Sequence, residues 1–314
     1  NWTSGTLVDN GGVFSLLSGG GDMTVPGTSI LETNTPRTYN SLTVNGTLTH
    51  SNNTTTEAYR IDLTVDNDAI IATGAVVNVN GRGFSMGYGP GVGVSGNNGA
   101  GGGAHGGVGG NGQSRAGGTV LYGDPLAPDR LGSGGGSSSY GGDGSGGGAV
   151  KIHAGGDLTI DGNIYANGTH SYSDSNHPPG GGAGGSIWLL GNNVSGTGNI
   201  TANGSNTPNT NYDAGGGGGG RIAIYYVTDT SNFGTLTANG GDALGASAQD
   251  GQPGTIHLGG ITADPINLKQ FKLDGITAIA QGGSTGESSF IATFQVQDGD
   301  PLDTLTPQVE IKPI

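Results

Sequence analysis

The chain has 314 residues, of which 70 are glycine and none is cysteine, and its formal net charge is −14. This much glycine is compatible with low-complexity disorder, but the apolar residues form β-type runs such as "RIAIYYV" that a disordered linker lacks. The ten scattered Lys and Arg residues exclude a basic stripe for nucleic acid, and the missing cysteines exclude disulfides and thiolate metal sites. Since no apolar run approaches the ~20 residues of a membrane span, we expect no membrane insertion.

An Asn-Gly dipeptide ends a β-type run five times, at intervals of 35, 87, 36 and 36 residues. The asparagines are Asn45, Asn80, Asn167, Asn203 and Asn239. The units therefore keep a period of about 36 residues, and the one long interval contains a glycine-rich block at 85–148. A fixed period of this length indicates a stacked repeat with one expanded unit.

The units share an alternation of apolar and polar residues, which is clearest in "AVKIHAGGDLTIDGNIYANG" (149–168). A two-residue period places Val150 and Ile152 on one side of a strand, and Lys151 and His153 on the other. One unit cannot bury its apolar side alone, so the units are expected to stack. We predict an all-β fold, a right-handed parallel β-helix with about 36 residues per coil; a sandwich would turn every ~8–12 residues without a long period.

The five repeated asparagines have a structural and a functional interpretation. Asn and Gly tolerate the positive φ of tight turns, and stacked amides can bond from coil to coil, which predicts a structural Asn ladder. The alternative is glycosylation, because eight asparagines begin Asn-X-Ser/Thr sequons. They are Asn1, Asn45, Asn52, Asn53, Asn167, Asn193, Asn199 and Asn203. We favour the ladder, and a buried ladder asparagine could not carry a sugar.

The glycine-rich block is expected to be an ordered insertion. Its densest stretch, "GAGGGAHGGVGG" (99–110), has His105 as its one functional side chain. Chains without Cβ atoms can pack closely as extended polyglycine-type strands, so we predict ordered packing, with a mobile loop as the alternative. We expect His105 to mark an exposed edge.

Aromatic residues on the outward side suggest a ligand-binding surface. The alternation places Trp188 and Tyr225 on the outward face, where they could stack on sugar rings. The alternative is that the glycine-rich insertion folds over this face and covers both rings. Tyrosines in the loops are further candidates for glycan binding, namely Tyr122, Tyr140, Tyr172 and Tyr212.

No catalytic constellation emerges from the sequence. Polysaccharide hydrolysis needs two converging carboxylates, and lyase chemistry needs a carboxylate with a basic residue. The loop acids and histidines are sparse and unpaired in sequence, and Asp157 and Asp161 flank a turn, where aspartate commonly serves the turn itself. We predict that the chain is not an enzyme.

The tail at 261–314 has less glycine, and its "FIATFQVQDGDPLDTLTPQVEI" resembles the opening strands of Ig-like modules in large bacterial surface proteins. We therefore divide the chain into a β-helix at 1–260, with 85–148 inserted, and a partial Ig-like segment at 261–314 whose edge another chain could complete. The tail also contains a candidate Ca²⁺ site of hard oxygen ligands, with ordinary turn chemistry as the alternative. Its residues are Asp298, Asp300 and Asp303.

The body of the chain also resembles a known class of sequence. The motifs "GRGFSMGYGPG", "YGDPLAPDRLGSGGGS", "GGAGGSIWLL", "GGGGGGRIAIYY" and "GQPGTIHL" are similar to glycine-rich β-helix segments of very large secreted or cell-surface proteins of environmental bacteria. The resemblance implies an extracellular, adhesin-like repeat protein and transfers no catalytic residues.

These observations predict a non-enzymatic structural or adhesion module of a bacterial surface or matrix protein. A stronger version of the hypothesis makes the chain a self-assembling filament subunit, completed by strand exchange through its C-terminal β segment. The expected partners are further copies of the chain, neighbouring domains of a larger surface protein, or glycans. The alternatives are a carbohydrate-binding adhesin domain and a polysaccharide lyase or hydrolase.

Overall fold

The structure is a computed structural model that describes residues 5–9, 21–171, 176–208, 211–260, 269–271, 278–279 and 291–293. The chain divides into two compact units, Asn1–Gly259 and Gly260–Ile314. The described residues form strands, turns and extended segments and contain no helix, so none of them forms an apolar helix of bilayer-spanning length.

Twenty strands are described. In chain order they are β1 (Gly5–Asp9), β2 (Met23–Val25), β3 (Ser29–Thr33), β4 (Arg37–Tyr39), β5 (Leu42–Val44), β6 (Thr47–Thr49), β7 (Ile61–Val65), β8 (Ala69–Ile71), β9 (Val76–Asn78), β10 (Ala149–Ala154), β11 (Leu158–Ile160), β12 (Asn163–Tyr165), β13 (Ser186–Ser195), β14 (Asn199–Thr201), β15 (Arg221–Asp229), β16 (Thr235–Thr237), β17 (Thr255–Gly260), β18 (Lys269–Phe271), β19 (Ala278–Ile279) and β20 (Ile291–Thr293).

The first unit contains two parallel sheets. One has seven strands in the order β1-β3-β6-β9-β12-β14-β16, and the other follows the eight-strand path β2-β5-β8-β11-β13-β10-β7-β4. Strand β15 adds to β13, and β17 adds to β15. The eight-strand path nearly closes, because the Asn40 N–H after β4 donates to the Gly21 carbonyl before β2 at 3.0 Å. We call this second sheet the barrel-like sheet.

The predicted fold class, a right-handed parallel β-helix with about 36 residues per coil, is wrong. A regular coil keeps its strand columns separate, whereas β13 pairs with β10 along its first half and with β11 along its second half. This double pairing joins two columns into the barrel-like sheet. Partner spacing is also irregular, from 17 residues between Leu31 and Leu48 to 89 between Ile61 and Val150.

The length of β13 depends on one glycine. Its sequence "SIWLLGNNVS" contains Gly191, and the strand continues through this glycine. A Cβ at Gly191 would lie 2.7 Å from the Leu158 Cβ, so only glycine lets β13 pass this close to Leu158. The glycine extends the strand instead of ending it.

The hydrophobic core lies along the inward columns of these sheets. Neighbouring strands place Ile61, Val150, Ile187 and Ile222 side by side, and all four side chains are 0–1% exposed. The predicted alternation therefore holds in these strands. Each such side chain stabilises the fold by roughly 1.5–3 kcal/mol on burial.

The glycine-rich segments pack into one hydrogen-bonded body, which we call the glycine array; it comprises residues 83–118, 131–148, 180–185 and 215–220. Successive residues bond in different directions. The Gly102 N–H donates to Gly110 at 2.9 Å, whereas the Gly103 N–H donates to Gly181 at 2.9 Å and the Gly103 carbonyl accepts from Gly218 at 2.8 Å. The expectation of ordered packing is confirmed. The array also includes two later segments, so it is more than the insertion at 85–148.

Close contact between backbones explains why the array consists of glycine. A Cβ at Gly102 would overlap the Gly216 carbonyl, and a Cβ at Gly217 would overlap the Gly182 carbonyl. These contacts join segments that are far apart in the chain. Any larger residue would push two hydrogen-bonded backbones apart.

The second unit is described by three short strands. They form an antiparallel sheet in the order β19-β18-β20. Most of the predicted Ig-like segment lies outside the described residues, as do the candidate calcium ligands Asp298, Asp300 and Asp303.

We expect Gly217→Ala to lower the free energy of unfolding by about 2–3 kcal/mol, the usual cost of overpacking, because the new methyl meets the backbone at Gly182. Thermal and urea unfolding of the full chain measure the change. Gly21→Ala is the matched control, since a Cβ there meets nothing within 4 Å. Equal stability of the two variants would contradict the packing argument.

Candidate functional site

The predicted ligand-binding aromatics lie on the outward side of the barrel-like sheet. Register places Asp62, Lys151, Trp188 and Ala223 side by side on β7, β10, β13 and β15. Two residues further along, Tyr225 of β15 lies beside Leu190 of β13. We call this surface the outer face, and its register agrees with the alternation of the sequence.

The indole of Trp188 is already occupied by neighbouring side chains. The Lys151 Nζ lies 5.2 Å from the centre of the Trp188 ring and 3.2 Å from the Asp62 Oδ1. The His153 ring meets the indole edge-on, with 4.5 Å between ring centres. A cation over an indole contributes roughly 0.5–2 kcal/mol, so the arrangement holds the ring in place. A sugar would have to displace Lys151 to stack on this side of the ring.

Burial lowers the pKa of His153 to about 4, and the positive charge of Lys151 adds to the effect. The imidazole is therefore neutral at physiological pH. Its Nε2 and the Trp188 Nε1 are both buried, and within the described part of the chain neither has a hydrogen-bond partner. His153 therefore has a packing role against the Trp188 ring.

A segment of the glycine-rich block, Tyr122–Leu131, is fastened over the outer face, and we call it the covering segment. Arg221 Nε donates to the Tyr122 carbonyl at 2.9 Å. The Tyr225 hydroxyl donates to the Leu126 carbonyl at 2.7 Å. The Ser186 Oγ donates to the Arg130 carbonyl at 2.6 Å. Two ion pairs also anchor the segment, Arg60–Asp129 at 2.9 Å and Arg130–Glu57 at 2.6 Å.

These anchors support the alternative interpretation of the aromatics, in which the insertion folds over their face. Ser186 and Arg221 begin β13 and β15, so the covering segment crosses the strands on which Trp188 and Tyr225 lie. Both aromatic residues are half-buried. The outer face is thus an intramolecular contact along much of its width.

His105 is completely buried, so the expectation of an exposed edge is wrong. Its Nδ1 lies 2.8 Å from the Gly184 carbonyl, and its ring lies 4.8 Å from that of Tyr122. Burial is the main cause that lowers the pKa of His105 to about 4. The ring fills space where the array meets the covering segment, and no local sequence signal indicates this, because its neighbours come from distant parts of the chain.

The loop tyrosines have different environments. The Tyr122 hydroxyl donates to the Leu131 carbonyl at 2.6 Å, and burial raises its pKa. Tyr140 is 53% exposed and stacks on His177 with 3.6 Å between ring centres. Tyr212 is half-buried, and Tyr172 lies outside the described residues. Tyr140 therefore has the most accessible ring among the described tyrosines of this group.

The carboxylates that were considered for catalysis bind backbone amides. Asp157 Oδ1 accepts from the Asn193 N–H, and Asp161 Oδ1 accepts from the Thr197 N–H, both at 3.2 Å. Among the described residues, no group of three or more His, Asp or Glu side chains could hold a metal ion. These aspartates link one strand layer to the next.

A shallow groove of about 430 Å³ is present in the first unit. Its lining residues are His170, Ser171, Asn206, Thr207, Pro208 and Leu244, and they include no carboxylate. Burial lowers the pKa of His170, whose Nε2 lies 3.0 Å from the Pro179 carbonyl. The groove thus lacks the acid pair that glycoside hydrolysis needs.

Four of the repeated asparagines form a continuous series of side-chain bonds. The Asn80 Oδ1 accepts from the Asn167 N–H at 2.8 Å, the Asn167 Oδ1 accepts from Asn203, and the Asn203 Oδ1 accepts from Asn239, both at 2.7 Å. We call this series the Asn ladder. Asn45 is exposed and outside it, because the Asn80 N–H bonds to Asn78 instead.

The expected reason for the Asn-Gly pairs is only partly right. No described asparagine has a positive φ. Of the five glycines that follow the repeated asparagines, only Gly81 has a positive φ, at 63°. The other glycines are required by close approach, as at Gly204, where a Cβ would overlap the Gly217 carbonyl. A second asparagine link, from the Asn199 amide to the Asn163 Oδ1 at 2.8 Å, was missed because its residues have no Asn-Gly signature.

Accessibility differs among the candidate glycosylation sites. Asn53 is 4% exposed, and its Nδ2 donates to the Tyr59 and Arg82 carbonyls, so a sugar cannot be attached there without breaking both bonds. Asn45 and Asn52 are exposed. Glycosylation at these two positions stays a prediction.

No protein-family model, curated protein or solved structure matches the chain. The resemblance to glycine-rich surface proteins therefore stays a prediction.

We expect Asn167→Ala to lower the free energy of unfolding by about 1–2 kcal/mol, because it leaves the Asn203 N–H without its acceptor. Chemical denaturation measures the loss. Asn45→Ala is the matched control, since the Asn45 side chain bonds to no described residue, and we expect a change within about 0.5 kcal/mol. A larger loss at Asn45 than at Asn167 would contradict the ladder's contribution.

The buried His105 predicts loss of stability in acid. The pKa of His105 is about 4 in the folded chain, against an ordinary value of 6.5. Between pH 4 and 6.5, His105 is therefore protonated in the unfolded chain and neutral in the folded chain. Stability therefore falls as pH drops from 6.5 to 4, by about 3 kcal/mol for this group. His105→Asn should make the dependence less steep in urea unfolding across this pH range, and the remaining slope includes the share of His153, whose pKa is also lowered to about 4. An unchanged slope would refute the assignment.

Proposed function

We propose that the chain is a non-enzymatic structural module of an extracellular surface or matrix protein, and that it associates with further copies of itself through its open end. The observation that carries the proposal is the exposure of core-type side chains on β17, the last strand added to the barrel-like sheet. We call the edge of β17 that no described strand covers the open end. Ile256 is 43% exposed and Leu258 is 48% exposed.

These two residues continue the inward columns of the barrel-like sheet. The Thr255 N–H donates to the Gly220 carbonyl, as the Arg221 N–H does to the Gly185 carbonyl one strand earlier. Ile256 therefore follows Ile222, which is completely buried, and Leu258 follows Ile224. The only difference is that no further strand covers β17 among the described residues. A free parallel edge with apolar side chains is a template for another strand.

Two further observations support a structural role. Backbone hydrogen bonds cross the glycine array in several directions, which favours a rigid body. The carboxylates of Asp157 and Asp161 serve links between layers and do not converge on a groove. A rigid array whose polar groups are used in internal hydrogen bonds is more typical of a scaffold than of a catalyst.

The extracellular setting is supported by the resemblance of the glycine-rich motifs to segments of secreted bacterial proteins. A calcium requirement is the finer part of the proposal, because the candidate ligands Asp298, Asp300 and Asp303 follow the open end in sequence. Glycan binding stays an alternative, with the exposed Tyr140 ring as its best candidate contact.

Light scattering of the full chain over a range of concentrations, with calcium and with chelator, tests the association. We expect the average mass to rise with concentration, and electron micrographs to contain end-to-end particles. The double variant Ile256→Lys/Leu258→Lys should stay monomeric, since it places two charges on the open end. Leu126→Lys, at a residue that is also 50% exposed but lies on the covering segment, should associate like the wild type.

A wild-type chain that stays monomeric at every concentration, with and without calcium, would refute the association. Association that Leu126→Lys abolishes and the double variant leaves intact would place the contact on the covering segment and also refute the proposed end.

A further inference from the structure

Seven described asparagines precede a glycine, and the structure places them in two classes. They are Asn45, Asn80, Asn98, Asn111, Asn167, Asn203 and Asn239. An Asn-Gly pair can deamidate without an enzyme, because glycine has no Cβ to hinder its own backbone nitrogen from attacking the asparagine side chain. The reaction needs a free glycine N–H and a side-chain amide that can rotate.

Three pairs are held closed by the Asn ladder. In the pair Asn167-Gly168, the Asn167 Oδ1 accepts from the Asn203 N–H at 2.7 Å, and the Gly168 N–H donates to the Asn203 carbonyl at 2.9 Å. The pairs that begin at Asn80 and Asn203 have the same two bonds to the next asparagine of the ladder. Both reacting groups are thus engaged by one neighbouring residue.

Asn111 is closed in a different way. Its Oδ1 accepts from the Gly117 N–H at 2.9 Å, and its Nδ2 donates to the Gln249 Oε1 at 2.8 Å. The Gly112 N–H donates to the Arg115 carbonyl at 2.8 Å. Asn111 is exposed, so exposure by itself does not separate the two classes.

The pairs that begin at Asn45, Asn98 and Asn239 are open. All three asparagines are exposed. Within the described part of the chain, their side chains form no hydrogen bond, and the N–H groups of Gly46, Gly99 and Gly240 have no acceptor. Asn239 is open because the ladder ends there and no further described residue donates to its Oδ1.

We propose that Asn45, Asn98 and Asn239 are sites of spontaneous deamidation and that the other four pairs are protected by their hydrogen bonds. The glycine nitrogen loses its proton to water and attacks the asparagine Cγ, the side-chain nitrogen leaves as ammonia, and a cyclic imide forms. Water then adds to either imide carbonyl and gives aspartate or isoaspartate. The product carries one added negative charge, and isoaspartate also adds a methylene to the backbone.

Incubation of the folded full chain in mildly alkaline buffer made with heavy-oxygen water tests the proposal. Peptide mapping by mass spectrometry then identifies each converted asparagine by its incorporated label, which excludes conversion during earlier handling. We expect the three open pairs to convert at least roughly tenfold faster than the closed pairs, because two hydrogen bonds must open before a closed pair reacts.

Incubation in denaturant is the control, since unfolding removes every protecting bond, and there all seven pairs should convert at rates that differ little. Conversion of Asn167 or Asn203 in the folded chain as fast as Asn239 would overturn the proposal. So would a folded chain in which the open pairs do not convert while the denatured chain converts them. Neither result depends on whether the chain associates, so the proposed function is tested separately.

Discussion

Direct hydrogen bonding between backbones that carry no side chains is the interaction on which the first unit depends. In an ordinary sheet, side chains separate one layer from the next, and peptide groups bond only within the layer. In the glycine array the missing Cβ atoms let Gly102 and Gly103 bond in different directions, to Gly110 and to Gly181. The peptide groups thus provide the cohesion that apolar side chains provide elsewhere, and glycines of the array such as Gly102 and Gly217 are a structural requirement.

A small number of polar side chains join one strand layer to the next and the array to the covering segment. Asparagine and aspartate oxygens accept backbone N–H groups of the following layer, as Asn167 does from Asn203 and Asp157 does from Asn193. His105 and Tyr122 fill the space between the array and the covering segment. Most of the described polar groups that were considered as catalytic candidates therefore have a structural use.

Local patterns of the sequence predicted local features well. Alternation placed Lys151 beside Trp188 and Val150 beside Ile187, and glycine density indicated an ordered body. What failed depended on contacts between distant segments. The joining of two strand columns in the barrel-like sheet follows from β13 continuing through Gly191, which lies against Leu158, 33 residues earlier in the chain. The burial of His105 depends on Gly184 and Tyr122, and neither is a neighbour in the sequence that a local pattern could identify.

The glycine array also has a genetic consequence. Any missense change in a glycine codon adds at least a Cβ, and at Gly102 or Gly217 that atom meets a carbonyl oxygen of another segment. Substitutions of these glycines by alanine or serine, which are usually regarded as mild, therefore destabilise the structure. The exposed Val120 and Leu121 beside the array can vary. The glycine array, which has the fewest side chains, should therefore be the part of the chain in which selection tolerates the fewest substitutions.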